Sequence, residues 1–75
     1  YVSTYPNPSL DFINIYSEVS IKNIELYDNV GRLILKKGNI YSKKYQIKMN
    51  LLKGFFIFKI ELSNNEVINK NIISY

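Results

Sequence analysis

The sequence predicts an all-β fold of about seven short antiparallel strands, packed as a sandwich or barrel. Turn-forming residues recur at short intervals along the chain, and the segments between them alternate apolar with polar side chains. The composition agrees, because 47% of the residues are hydrophobic and Ile, Tyr and Phe are frequent, as half-buried pleated surfaces require. We predict no helix.

The strands follow from this punctuation and alternation. Pro6 and Pro8 cannot donate to a strand ladder, so the first strand ends before them. The sixth strand has the clearest pattern, with Lys59 and Glu61 on the side opposite its alternating apolar residues. The predicted strands are residues 2–5, 12–16, 21–27, 32–37, 44–49, 55–63 and 66–74.

The same alternation predicts the buried side of each strand. In the third strand, Ile21 is out of phase with Ile24 and Leu26, which predicts a β-bulge near Lys22 and Asn23. The predicted core consists of Ile13, Ile15, Ile24, Leu26, Leu33, Phe56, Phe58, Ile60 and Leu62.

Two connections carry hairpin signals. Asp28-Asn29-Val30-Gly31 combines an Asx-type turn start with a glycine for positive φ, and it joins the third and fourth strands. Ser63-Asn64-Asn65-Glu66 joins the last two strands in the same way, because Asn tolerates left-handed conformations. These hairpins make the predicted strands antiparallel.

Length and charge restrict the classes of protein. The 75 residues fit a single domain, residues 1–75, with one thin core. The net charge of +4 would suit an acidic partner, but the lysines are spread from Lys22 to Lys70, and we interpret them as solvated faces and edge protection. No apolar run is long enough to span a bilayer. A chain that begins at Tyr1 without a leader is expected to be a piece of a longer precursor.

We predict no catalytic, cofactor-binding or metal-binding residues and no enzyme activity. The chain has neither Cys nor His, so it lacks thiolate ligands and the commonest general base. Its six acidic residues form no close pair in sequence, and its three glycines do not cluster into a phosphate-binding loop. No cofactor is implied.

A nucleic-acid surface is the alternative interpretation of the segment Tyr41-Ser42-Lys43-Lys44-Tyr45, where aromatic and basic residues interleave. We favour core and cross-strand positions for these aromatic residues. No nucleic-acid partner is therefore predicted.

An ordered set of motifs runs through the chain. It starts with Tyr5-Pro6-Asn7-Pro8 and Asp11, followed by Ile13 and Ile15, and it continues through residues 24–34, 51–60 and 66–70. In this order and spacing, the motifs resemble the type A C-terminal sorting domain of the type IX secretion system, also called the Por secretion system. The resemblance covers essentially the whole chain.

The resemblance implies an immunoglobulin-like sandwich of seven strands at the end of proteins secreted by Bacteroidota. Such a domain is recognised in the periplasm, guides its upstream cargo through an outer-membrane translocon with the help of shuttle proteins, and is typically removed by a sortase-like protease. The expected location is the periplasm in transit, and then the cell surface or the medium of a Gram-negative bacterium.

Nine positions match the family's motifs and are the candidate recognition residues. The family's Gly-x-Tyr motif corresponds to Gly54 and Phe56, so that phenylalanine replaces the tyrosine. The lysine-rich final strand of the family is represented here by Lys70. The full set is Pro6, Asn7, Pro8, Asp28, Gly31, Arg32, Gly54, Phe56 and Lys70.

Two other functions remain compatible with the sequence. The first is an immunoglobulin-like or fibronectin-like accessory module for adhesion or carbohydrate binding, because such folds host many functions. The second is a basic nucleic-acid binder, whose binding would depend steeply on salt.

Overall fold

The computed structural model describes residues 2–5, 12–49 and 53–74, and it arranges them as six antiparallel strands. The predicted all-β antiparallel class is confirmed, and the described ranges contain no helix. The strands join into one connected sheet, and the immunoglobulin-like sandwich stays a prediction. They are β1 (Val2–Tyr5), β2 (Phe12–Asp28), β3 (Leu33–Lys37), β4 (Ser42–Lys48), β5 (Gly54–Leu62) and β6 (Val67–Ser74).

The second and third predicted strands are one continuous strand, so this part of the sequence prediction was wrong. β2 covers 17 residues without a turn. Its middle segment contains no Gly or Pro, and it keeps partners on neighbouring strands. Ser17 lies opposite Val2 of β1, and the carbonyl of Ser20 accepts a hydrogen bond from the N–H of Ser63 at 2.8 Å.

β2 pairs with four of the five other described strands. β4 and then β3 lie end to end along one edge of β2, and β1 and then β5 lie along the other. Ile21 marks the junction, because it lies opposite Ser42 of β4 on one side and Leu62 of β5 on the other. β6 pairs with β5.

The predicted bulge near Lys22 and Asn23 is confirmed. Against β5, the register shifts between Ile21 and Asn23, which leaves Lys22 as the additional residue. The carbonyl of Lys22 accepts a hydrogen bond from the N–H of Ile40 at 3.1 Å, so the irregular backbone stays paired. A straight strand of this length would span roughly 55 Å, whereas the longest principal-axis extent of the described residues is 31 Å. β2 must therefore bend.

The bend allows both halves of β2 to bury side chains in the same core. Eight of the nine predicted core residues are buried. Leu33 is the exception and is 48% exposed, because the register between β2 and β3 shifts beside it and Ile34 and Leu35 pack against the core instead. The buried hydrophobic residues are Val2, Ile13, Ile15, Ile21, Ile24, Leu26, Ile47, Met49, Phe56, Phe58, Ile60, Leu62 and Ile72.

The predicted hairpin between the last two strands is also confirmed. The N–H of Asn65 donates to the carbonyl of Leu62 at 2.9 Å, and the N–H of Leu62 donates to the carbonyl of Glu66 at 2.8 Å. Asn65 has a φ of 70° and takes the left-handed position that completes a three-residue hairpin loop.

We predict that Phe58→Ala lowers the free energy of unfolding by roughly 3–5 kcal/mol, because the side chain is a fully buried part of the core. Phe55 is the matched control, since it lies on the same strand and is 64% exposed. Phe55→Ala should change stability much less. Denaturant unfolding of both variants tests the burial pattern, and equal losses would contradict it.

Candidate recognition site

The turn between β2 and β3 contains three of the nine candidate recognition residues and has the geometry that the sequence predicts. The N–H of Gly31 donates to the carbonyl of Asp28 at 3.1 Å, and the N–H of Asp28 donates to the carbonyl of Arg32 at 3.0 Å. Gly31 has a φ of 87°, so it occupies the left-handed position that follows a type I turn in three-residue hairpin loops. This conformation explains why a glycine stands there.

The carboxylate of Asp28 holds this turn together. Its Oδ1 atom accepts hydrogen bonds from the backbone N–H groups of Val30 at 3.1 Å and Arg32 at 2.8 Å. Its Oδ2 atom accepts a hydrogen bond from Nε of Arg32 at 3.0 Å. One carboxylate thus fixes both the backbone of the loop and the direction of the arginine side chain.

This contact leaves the guanidinium available for binding. The Arg32 side chain is 76% exposed, whereas that of Asp28 is 13% exposed. Only Nε contacts Asp28, and among the described residues no partner is found for the two terminal amino groups of Arg32. A guanidinium held in this way can donate two parallel hydrogen bonds to an incoming carboxylate or phosphate.

The hydrogen bonds of the turn also act on the ionisation of Asp28. Its pKa is lowered from the ordinary value of 3.8. The largest cause is the hydrogen bond from the backbone N–H of Arg32, with smaller contributions from the N–H of Val30 and from the charge and side-chain hydrogen bond of Arg32. Desolvation of the carboxylate opposes these effects.

Two further candidate residues lie at the same end of the sheet. Phe56 lies directly opposite Asp28 in the β2–β5 ladder, and Gly54 begins β5 two residues earlier. Phe56 is buried in the core, where a phenyl ring needs no hydrogen-bond partner. Gly54 has a φ of 111°, which L-residues rarely adopt. The fold therefore brings Asp28, Gly31, Arg32, Gly54 and Phe56 together.

Lys70 lies elsewhere, and three candidates cannot be located. Lys70 is half-buried on β6 and lies opposite Phe58, so it shares the core-facing side of that strand with Ile68 and Ile72. In the described sheet β6 pairs only with β5, and a charge that points inward on an edge strand discourages pairing with another chain. Pro6, Asn7 and Pro8 fall outside the described residues.

Sequence reasoning missed an apolar groove beside the turn. The groove has a volume of about 410 Å³, and its outward-facing residues include Phe55, Ile57 and Ile73. Phe55 lies opposite Ile73 in the β5–β6 ladder, and Asn29 of the turn lines the groove. The available signal was the run of four apolar residues from position 55 to 58, which places large side chains on both faces of β5.

The described residues show neither a metal centre nor a membrane helix. Within residues 2–5, 12–49 and 53–74, no three His, Cys, Asp or Glu side chains are grouped so that they could hold a metal ion. None of these ranges contains a helix that is long and apolar enough to cross a membrane.

The geometry is that of a small antiparallel β module whose sequence motifs converge on one turn and the strand beside it. The chain belongs to the family described as the secretion system C-terminal sorting domain, whose model matches residues 3–74. It is thus a C-terminal sorting domain of the type IX secretion system. A search of curated proteins found no significant match. Membership implies interaction with that secretion system and a cargo that is secreted or placed on the cell surface.

We predict that Arg32→Ala raises the pKa of Asp28 but does not return it to the ordinary value of 3.8. The variant keeps the backbone N–H of Arg32, which is the largest cause of the lowered pKa, and loses only the side-chain contributions. A lowered pKa in the folded state stabilises the turn above the unfolded pKa, and this contribution disappears as the pH falls through the folded value. NMR titration of the Asp28 carboxyl carbon tests this, and a return to 3.8 would contradict it.

We predict that Gly31→Ala lowers the free energy of unfolding by about 1–2 kcal/mol, through the backbone alone. A Cβ atom at this position would meet no other atom within 4 Å, so steric overlap does not contribute. Asn65→Gly in the equivalent position of the other hairpin should leave stability nearly unchanged, because both residues accept that conformation. Thermal unfolding of both variants measures the difference.

Proposed function

We propose that residues 1–75 form a single domain that serves as an export address and has no catalytic role. In this proposal, the domain directs an upstream cargo protein across the outer membrane by the type IX secretion system. Membership of the sorting-domain family supports this function. The observation that carries the proposal further is an exposed arginine, held by Asp28 at the turn where the sequence motifs converge.

We infer that the translocon or its shuttle proteins contact the turn through Arg32. An arginine that is already oriented loses less conformational entropy on binding than a free one. Residues of this type, next to exposed apolar side chains, often provide much of the affinity of protein interfaces. Asp28 and Gly31 would position Arg32, while Gly54 and Phe56 would support the turn from β5.

The proposal also includes the remaining candidate recognition residues and the later steps of export. Pro6, Asn7, Pro8 and Lys70 complete the set of recognition residues. The domain would be recognised after the cargo reaches the periplasm, and a sortase-like protease would then remove it. The cargo would finish at the cell surface or in the medium.

We predict that fusing these residues behind a signal peptide and a reporter carries the reporter out of a cell with a working type IX system. Deleting residues 66–75 should trap the reporter in the periplasm, because it removes the whole of β6 and its pairing with β5. Arg32→Ala should reduce export without changing the melting temperature, since an exposed ion pair contributes little to stability. Reporter activity in the medium and in the periplasm gives the measurement.

Lys59→Ala is the matched control, because Lys59 is an exposed cation on β5 that also contacts a carboxylate, that of Glu25 at 3.9 Å. It should leave export close to that of the unchanged fusion. If the Arg32→Ala variant leaves both reporter export and the melting temperature unchanged, then Arg32 does not contact the secretion machinery. If the intact fusion stays in the periplasm of a competent host, the sorting function itself is wrong for this chain.

A further inference from the structure

Positive charge is concentrated on one edge of the sheet. The segment from Arg32 to Lys48 contains six basic residues and no acidic residue. It forms β3, a short link and β4, which lie end to end along β2. In the described sheet, β3 and β4 pair with β2 alone, so this segment forms an outer edge. We call it the basic edge.

The outward face beside β4 combines these charges with aromatic rings. Lys44 lies opposite Tyr16, and Lys48 lies opposite Phe12, while the neighbouring residues Ile13, Ile15 and Ile47 are buried. Since neighbouring residues of a strand point to opposite faces, the two lysines and the two rings share the solvent-facing side. Between these pairs, Gln46 donates a hydrogen bond to Asn14 at 3.1 Å.

Exposed apolar side chains lie along the same edge. Tyr41, in the link between β3 and β4, is 58% exposed and has a φ of 46°. Leu33, at the start of β3, is also substantially exposed. Aromatic and aliphatic side chains interleaved with lysines are typical of protein surfaces that lie against lipid headgroups.

Few acidic residues neutralise the basic edge. Glu25 lies opposite Lys36 on β2 and also contacts Lys59 of β5 at 3.9 Å. Glu18 is exposed on β2, two residues after Tyr16, and no ion pair between Glu18 and a lysine is found among the described residues. The β4 half of the edge therefore keeps its positive charge.

We propose that the basic edge binds an anionic lipid surface. A membrane needs only the proximity of several ammonium groups to its headgroups, and the lysines of β4 satisfy this requirement. A nucleic acid or a sugar would need open ring faces on which to stack. One face of the Tyr16 ring is occupied, because Nζ of Lys44 lies 5.8 Å from its centroid. These observations favour lipid headgroups as the partner.

The experiment is co-sedimentation of the 75-residue chain with vesicles of phosphatidylglycerol and phosphatidylcholine in equal parts. The double variant Lys44→Gln and Lys48→Gln should lower the partition coefficient about 25-fold, because each cation near an anionic surface contributes about fivefold. Glu18→Gln should raise the partition coefficient. Added salt should weaken binding of the unchanged chain.

The matched control is the double variant Lys53→Gln and Lys59→Gln, which removes the same charge outside the basic edge. It should retain most of the binding, and melting temperatures verify that both double variants fold. An equal loss in the two double variants, or equal binding to vesicles of phosphatidylcholine alone, would overturn the proposal. Tighter binding to a single-stranded oligonucleotide or to an acidic peptide than to the anionic vesicles would also overturn it.

Discussion

The β-bulge at Lys22 sets the side on which the two halves of β2 bury their side chains. Four of the described strands pair directly with β2, and β6 is attached through β5, so a change of direction in β2 moves the described sheet. Side chains alternate strictly along a regular strand, so without the extra residue Ile24 and Leu26 would point away from the side that buries Ile13 and Ile15. One additional residue therefore lets both halves of a long strand bury their isoleucines in a single core.

Local patterns in the sequence predicted those features that depend on local chemistry. The phase change between Ile21 and Ile24 revealed the bulge, and Asp28 and Gly31 revealed the first hairpin. The continuity of β2 was not predictable in this way, because it depends on partners that are distant in sequence, such as Val2 and Ser63. The prediction that Leu33 is buried was wrong for a related reason, since a register shift beside the turn changes which residues of β3 face the core.

In the candidate site, too, local sequence predicted some features, and others depend on pairing between distant strands. The motif placed Asp28 and Arg32 in one turn, but the sequence could not show that Oδ2 of Asp28 fixes Nε of Arg32. The position of Phe56 opposite Asp28 also depends on a ladder between distant strands. The inward orientation of Lys70 follows only from its register with Phe58, because the sequence around it alternates weakly. Register between distant strands is the information that local alternation lacks.

The turn and the basic edge belong to one long, bent hairpin, in which β3 and β4 return along β2 and pair with its residues 24–27, 21 and 12–16. An exposed ion pair such as that of Arg32 and Asp28 adds little to stability, so its value lies in holding the guanidinium in one direction. Lys44 and Lys48 of β4, which are exposed, likewise contribute little to the core. The core is formed by the alternate residues of the same strands. Since period-two alternation separates the two faces, the outward residues of this hairpin are free to serve recognition while the inward residues maintain the fold.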